Sequence, residues 1–311
     1  MNEQVVVLPP GVAIAILAFL LSLLPAGLFI WVWYLRRHER SVPAMAVVKA
    51  FGLGMFLVAP AFLLEKWAPV LWQMISPGTA YYFTGALSPI QGWADILWPA
   101  VGTFLIVALV EEGVRYLALW GWFRKSQLVD QVFDGLVLGL AAGLGFATLE
   151  NSAYFFQLFS AGNFDTLVFV FFLRFLVSTL AHISFGGIMG VMLARGLFSV
   201  YNTRRYWWQA FLAPWCLHGF YDWMLAIDQT MYAVLLLLVP LIVLVLWTGR
   251  RDFYAIGRDS NGRLLVNQEP PAGSEAKVGR VSGRHYETPW NTQAPWLKFR
   301  RAYRSNFNNL S

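Results

Sequence analysis

The side chains best able to do chemistry in this sequence are carboxylates and cations that interrupt apolar stretches. Glu111 and Glu112 are adjacent, and Arg115 follows four and three residues later. On a helix this spacing lets the guanidinium reach either carboxylate. Two carboxylates beside one fixed cation can be held in different protonation states, which suits a general base. The alternative is a structural ion pair that holds a helix bundle together.

Two histidines occupy later apolar stretches. His182 lies among small residues, and His218 is followed one helical turn later by Asp222, which can orient the imidazole ring. We expect both rings to face one buried polar cavity, although a histidine can also serve only as a structural hydrogen-bonding group. A separation above about 12 Å would exclude both shared metal ligation and a joint oxyanion site.

A third polar group, Glu150 and Asn151, follows a stripe of small residues spaced four apart. The stripe consists of Gly135, Gly139, Gly143 and Ala147. Such a stripe lets a second helix approach closely, and by itself it is a packing signal. We expect Glu150 to face this helix interface rather than lipid. Arg174 can pair with Glu150 or with Asp165.

These residue types are typical of a hydrolase. A glutamate can take a proton from water while histidines hold a developing oxyanion or a metal ion. Two histidines and one carboxylate would leave a fourth zinc position open for water, and the second glutamate would then be the base. The sequence contains no HExxH motif and no evident serine–histidine–acid pattern.

Apolar segments must position these residues, because the chain is 58% hydrophobic and only 13% charged. The single cysteine, Cys216, excludes a disulfide scaffold. We predict an all-α, polytopic membrane bundle of about seven transmembrane helices. The predicted spans are roughly 11–35, 43–64, 94–123, 132–159, 166–194, 206–227 and 230–249.

Basic residues follow alternate spans, which predicts the orientation of the bundle. These clusters are Arg36, Arg37 and Arg40; Arg124 and Lys125; Arg195, Arg204 and Arg205; and Arg250 and Arg251. The opposite loops contain only Lys66, so we expect the N-terminus outside and the C-terminus in the cytoplasm. We divide the chain into a bundle, 1–249, with its motif-bearing core at 94–227, and a basic cytoplasmic tail, 250–311.

The net charge of +6 is explained by this topology and by a tail beside anionic lipid, so we expect no nucleic-acid partner. The expected partners are the bilayer and a membrane-protein substrate. The sequence does not indicate an oligomeric state.

Four blocks in order make the sequence resemble the PrsW family of intramembrane proteases, grouped with CAAX prenyl proteases and bacteriocin-processing enzymes. The blocks are Glu111-Glu112-x-x-Arg115, Asp134-Gly135 through Glu150-Asn151, His182 with its small neighbours, and His218-x-x-x-Asp222. They extend over about 110 residues. The sequence departs from the family at two positions: Arg115 replaces the usual lysine, and Asp222 replaces a frequent asparagine. An ionised Asp222 would repel an oxyanion, so orienting His218 is its expected role.

The resemblance implies peptide-bond hydrolysis in a prokaryotic plasma membrane, such as cleavage of a membrane-anchored anti-sigma factor. It assigns Glu111 and Glu112 as the base and its partner, and His182 and His218 as metal ligands or oxyanion donors. The expected metal is zinc, held by His182, His218 and Glu150, with a metal-free glutamate–histidine mechanism as the alternative. The predicted catalytic residues are thus Glu111, Glu112, Arg115, His182 and His218, and the supporting residues are Glu150, Asn151, Asp222 and Arg174. Two other functions stay open: an ion-coupled transporter, and a non-catalytic sensor or immunity protein.

Overall fold

The computed structural model describes residues 9–35, 42–75, 90, 92–125, 128–199, 202–249, 257–258 and 264–265. The bundle within them is all-helical. Its helices are α1 Pro10–Ile30, α2 Ala44–Ile75, α3 Ala94–Gly102, α4 Leu109–Lys125, α5 Val132–Ser160, α6 Phe164–Leu173, α7 Thr179–Phe198, α8 Thr203–Ala226 and α9 Thr230–Gly249. Three π-helical segments, Trp31–Leu35, Thr103–Ala108 and Arg174–Ser178, extend α1, join α3 to α4, and join α6 to α7. In the tail, β1 Gly257–Arg258 pairs antiparallel with β2 Leu264–Leu265.

Helices occupy all seven predicted positions, and five helical segments are long and apolar enough to cross a membrane. These five are Pro10–Ile30, Ala44–Met74, Ala94–Lys125, Val132–Ser160 and Phe164–Phe198. The protein is therefore a multi-pass membrane protein. Its orientation, its exact number of crossings and its division into bundle and tail stay predictions, and most of the tail lies outside the described residues.

The end predicted for the second span, near residue 64, was wrong by about eleven residues. Helix α2 continues to Ile75, so Glu65 and Lys66 are helical rather than part of a loop. A charged pair ends an apolar run, but it does not interrupt backbone hydrogen bonding. At 32 residues, α2 is about 48 Å long, so it must tilt or extend beyond a hydrocarbon core of about 30 Å.

Helix α5 is the centre of the bundle, where it packs against α1, α2 and α7. The predicted stripe makes the close contact with α7. A Cβ added at Gly139 would overlap the carbonyl oxygen of Gly186, and one at Gly143 would overlap that of His182. Only glycine permits this approach, so the stripe brings the backbone that carries Glu150 against the backbone that carries His182.

Two of the π-helical segments lie directly before site residues. Thr103–Ala108 ends three residues before Glu111, and Arg174–Ser178 ends four residues before His182. A π-turn adds a residue to a helical turn, and such turns are frequent at functional sites. They divide each of these long segments into two helices, the second of which carries the polar residues inward.

Candidate active site

Glu112 is the most deeply buried carboxylate of the site, with 0% of its surface exposed. Arg115 donates from Nη1 to its Oε1 at 2.7 Å, and His218 Nδ1 lies 2.9 Å from the same oxygen. The ion pair of Glu112 and Arg115 within α4, which the spacing predicted, is therefore also in contact with His218 of α8. The other carboxylate oxygen of Glu112, Oε2, is buried without a hydrogen-bond partner in the described part of the chain.

His218 lies between two carboxylates. Its Nδ1 faces Glu112, and its Nε2 lies 3.1 Å from Oδ2 of Asp222. Because carboxylates only accept hydrogen bonds, bonds to both require a proton on each ring nitrogen. Asp222 thus has the orienting position expected for it.

His182 faces the other half of the site. Its Nε2 lies 2.7 Å from Oε2 of Glu150, and its Nδ1 lies 3.4 Å from Nη2 of Arg115. The rings of His182 and His218 are edge to face, with their centroids 5.4 Å apart. This distance is well inside the 12 Å limit set from the sequence, so the two histidines belong to one site.

Glu111 points into the space between these groups. Its Oε2 is buried and accepts no hydrogen bond from the described residues. Three nitrogens surround this oxygen: Arg115 Nη2 at 3.8 Å, His182 Nδ1 at 4.0 Å and His218 Nε2 at 3.9 Å. These distances are too long for direct hydrogen bonds, and a water molecule can bridge them.

Three side chains in the described part of the chain offer ligand atoms that converge on one point. One atom each from Glu111, Glu150 and His182 lies within 4.8 Å of the other two. Oε2 of Glu111 is buried without a hydrogen-bond partner among the described residues, whereas Oε2 of Glu150 lies 2.7 Å from Nε2 of His182, within hydrogen-bond distance. One imidazole and two carboxylates are a donor set that suits zinc. The residues present therefore fit a divalent cation; this group contains His182 and Glu150 of the predicted ligands together with Glu111, and the role of His218 as a ligand stays a prediction.

A hydrogen-bond network fixes Glu150 and His182 from behind. Arg174 Nη2 donates to Oε1 of Glu150 at 2.7 Å, and its Nε donates to Oδ1 of Asn151. Asn151 donates in turn to Oγ1 of Thr179 at 3.1 Å, and that hydroxyl donates to the carbonyl of Arg174 at 2.8 Å. The network joins α5 to the start of α7, one turn before His182. Of the two partners expected for Arg174, the structure selects Glu150.

Sequence reasoning missed three residues of the site. Thr179 completes the network, and the ring of Phe146 stacks under Arg115 with 4.4 Å between its centroid and Cζ. Glu65 on α2 has a buried Oε1 without a hydrogen-bond partner among the described residues. It interacts electrostatically with Glu150 of α5 and with His218 and Asp222 of α8. A glutamate directly after an apolar run was a usable signal for Glu65.

Comparison with known proteins agrees with this geometry. Residues 42–248 match the family described as PrsW family intramembrane metalloprotease, and this range includes every residue of the site. The chain belongs to the PrsW family of intramembrane proteases. No solved structure matches the chain.

Curated relatives of the same family come from several bacteria. Protease PrsW of Geobacillus kaustophilus is 30% identical over 193 residues, or 62% of this chain and 72% of that protein. The proteins of the same name from Clostridioides difficile and Bacillus subtilis are 29% and 28% identical, covering 75% and 70% of this chain and 88% and 86% of those proteins. As a PrsW protease, the chain is a multi-pass enzyme of the cell membrane, which favours the protease over the transporter and the sensor.

Proposed function

We propose that this PrsW protease hydrolyses one peptide bond in a single-span membrane protein, such as a membrane-anchored anti-sigma factor. The observation that carries the proposal is one buried cluster in which two glutamates of α4 meet His182 of α7 and His218 of α8. Family membership supports peptide-bond hydrolysis as the reaction. The membrane-spanning bundle supports a substrate that lies in the same membrane. The substrate and its cleavage site are the proposed part.

We further propose that Glu111, Glu150 and His182 hold a divalent cation, with zinc as the best fit to their donor atoms. Around the point where these three ligand atoms converge, carboxylates outnumber guanidinium groups, which favours a bound cation. Such a cation would polarise the scissile carbonyl and lower the proton affinity of water. Arg174 and Asn151 keep Glu150 and the start of α7 in place, as outer partners of ligands commonly do.

Glu112 is the proton acceptor for the attacking water in this mechanism. Arg115 and His218 hold its Oε1, which leaves Oε2, without a hydrogen-bond partner among the described residues, to take the proton. Arg115 Nη2 points into the same space, and it stabilises the negative charge that develops on the carbonyl oxygen. The contact with Phe146 keeps this guanidinium fixed.

In the metal-free form of the mechanism, the proton acceptor is Glu111 instead of Glu112. Glu111 then becomes the base, because its Oε2 is surrounded by three nitrogens at 3.8 to 4.0 Å with room for a bridging water. Glu112 then only orients Arg115 and His218. Metal content separates the two forms.

The function can be tested in cells that carry either the wild-type protein or Glu112→Gln at equal levels. Quantitative membrane proteomics should show at least one single-span protein that accumulates uncut with Glu112→Gln. Asp165→Asn is the matched control, because it makes the same change at an exposed carboxylate at the start of α6. Identical levels of every single-span protein in wild type and Glu112→Gln would refute the proposal.

A further inference from the structure

Helix α8 is joined to the α3–α4 segment by two indole hydrogen bonds. Trp215 Nε1 donates to the carbonyl of Phe104 at 2.7 Å, and Trp223 Nε1 donates to the carbonyl of Ile96 at 2.9 Å. The two donors are eight residues apart on α8, and the two acceptors are eight residues apart in the opposite direction. The two bonds therefore fix, at two points, how α8 is aligned with the antiparallel α3–α4 segment.

The acceptor Phe104 lies in the π-helical segment Thr103–Ala108, where hydrogen bonding departs from the α-helical pattern. Its ring is packed edge to face against Trp215 and Phe220, with centroid distances of 5.9 and 4.9 Å. A Cβ added at Gly219 would overlap this ring. Helix α8 is thus tightly packed against the π-helical segment at Gly219, the residue next to His218.

The alignment matters because His218 and Asp222 lie between the two tryptophans along α8. A shift of one turn would move His218 by about 5.4 Å, and a change of one residue would rotate it by about 100°. Either change would break its 2.9 Å contact with Glu112. In a membrane, helix register depends on packing and on hydrogen bonds, because lipid supplies no hydrophobic force between helices.

We propose that Trp215 and Trp223 are positioning residues that set the register of α8 and hold His218 and Asp222 against the glutamates of α4. Their indole N–H groups act through His218 and touch no reacting atom. The catalytic consequence rests on the proposed function, whereas the effect on His218 does not.

The test compares Trp215→Phe, Trp223→Phe and the double variant, which keep an aromatic ring and remove the N–H donors. The control is Trp208→Phe, the same change at a tryptophan of α8 that is 62% exposed. The chain has only four histidines, so isotope-labelled histidine gives few imidazole signals. We expect the double variant to shift the His218 signals and Trp208→Phe to leave them unchanged. Unchanged His218 signals in the folded double variant would overturn the proposal.

Two further measurements keep the test decisive. If the double variant does not fold, the two single variants carry the test, and unchanged His218 signals in both folded single variants would overturn the proposal. With a cleaved substrate, each single variant should lower kcat about fivefold, the effect of one lost hydrogen bond, and leave KM unchanged. If the wild type cleaves nothing while the imidazole shifts occur, the proposed function fails and the positioning role stands.

Discussion

Replacing Glu111 and Glu112 separately by glutamine distinguishes a metal ligand from a proton acceptor. The two residues are adjacent, but their contacts differ. Glu111 offers the convergent ligand group a buried oxygen that has no hydrogen-bond partner in the part of the chain that the structure describes, whereas Glu112 is paired with Arg115 and His218 outside this group. We expect Glu111→Gln to lose the metal, and Glu112→Gln to keep it while losing catalysis.

The expected sizes follow from these contacts. Zinc sites with four protein ligands bind with apparent free energies of about 10–16 kcal/mol, or about 3 kcal/mol per ligand. Removing Glu111 from the ligand set should therefore weaken metal binding about a hundredfold. Glu112→Gln leaves the ligands in place, but it removes the buried partner of Arg115, which costs about 3–5 kcal/mol of stability.

Elemental mass spectrometry and thermal unfolding of the detergent-purified proteins give both quantities. Wild type should contain one metal ion per chain, Glu112→Gln the same amount with a lower Tm, and Glu111→Gln much less metal with a smaller change in Tm. Loss of metal from Glu112→Gln but not from Glu111→Gln would refute the ligand assignment. No stoichiometric metal in folded wild type would support the mechanism with Glu111 as base.

Three other predictions test the scaffold around the site. Gly139→Ala places a methyl group against the carbonyl of Gly186 and should cost about 1–3 kcal/mol of stability. The control Gly113→Ala places its methyl group in open space and should not lower the Tm. Equal Tm values for the two variants would contradict the packing of α5 on α7. Arg174→Lys keeps the charge but cannot hold both of its acceptors, so metal affinity should fall about 10–100-fold; an unchanged affinity would show that the network does not support the ligands. A fluorescent protein fused to the C-terminus should fold in the cytoplasm, and a dark fusion with an active alkaline phosphatase counterpart would reverse the predicted orientation.

The sequence was sufficient to predict the helices and the motif residues. Apolar length located all seven segments, and the spacing of Gly135, Gly139 and Gly143 predicted the close contact of two helices. Spacing within a helix also predicted the pairs of Arg115 with Glu112 and of Asp222 with His218. These features are local, so periodicity is enough to find them.

The contacts between helices were harder to predict. The contact of His218 with Asp222 lies within α8, but its contact with Glu112 depends on the packing of α8 on α4, and its role as a metal ligand stays a prediction. Glu65 was placed in a loop because a charged pair ended the apolar run. Thr179 had no signal beyond a hydroxyl in an apolar helix, and its role depends on Asn151 of α5.

The most direct test of the central claim is cleavage of a purified substrate in heavy-oxygen water. The single-span protein that accumulates with Glu112→Gln would be reconstituted in vesicles with wild-type enzyme, and the products analysed by mass spectrometry. Hydrolysis at this site predicts one new cleavage point, with heavy oxygen in the new C-terminal carboxylate, and no product from Glu112→Gln. The same product from Glu112→Gln, or no cleavage by folded wild-type enzyme, would contradict the account.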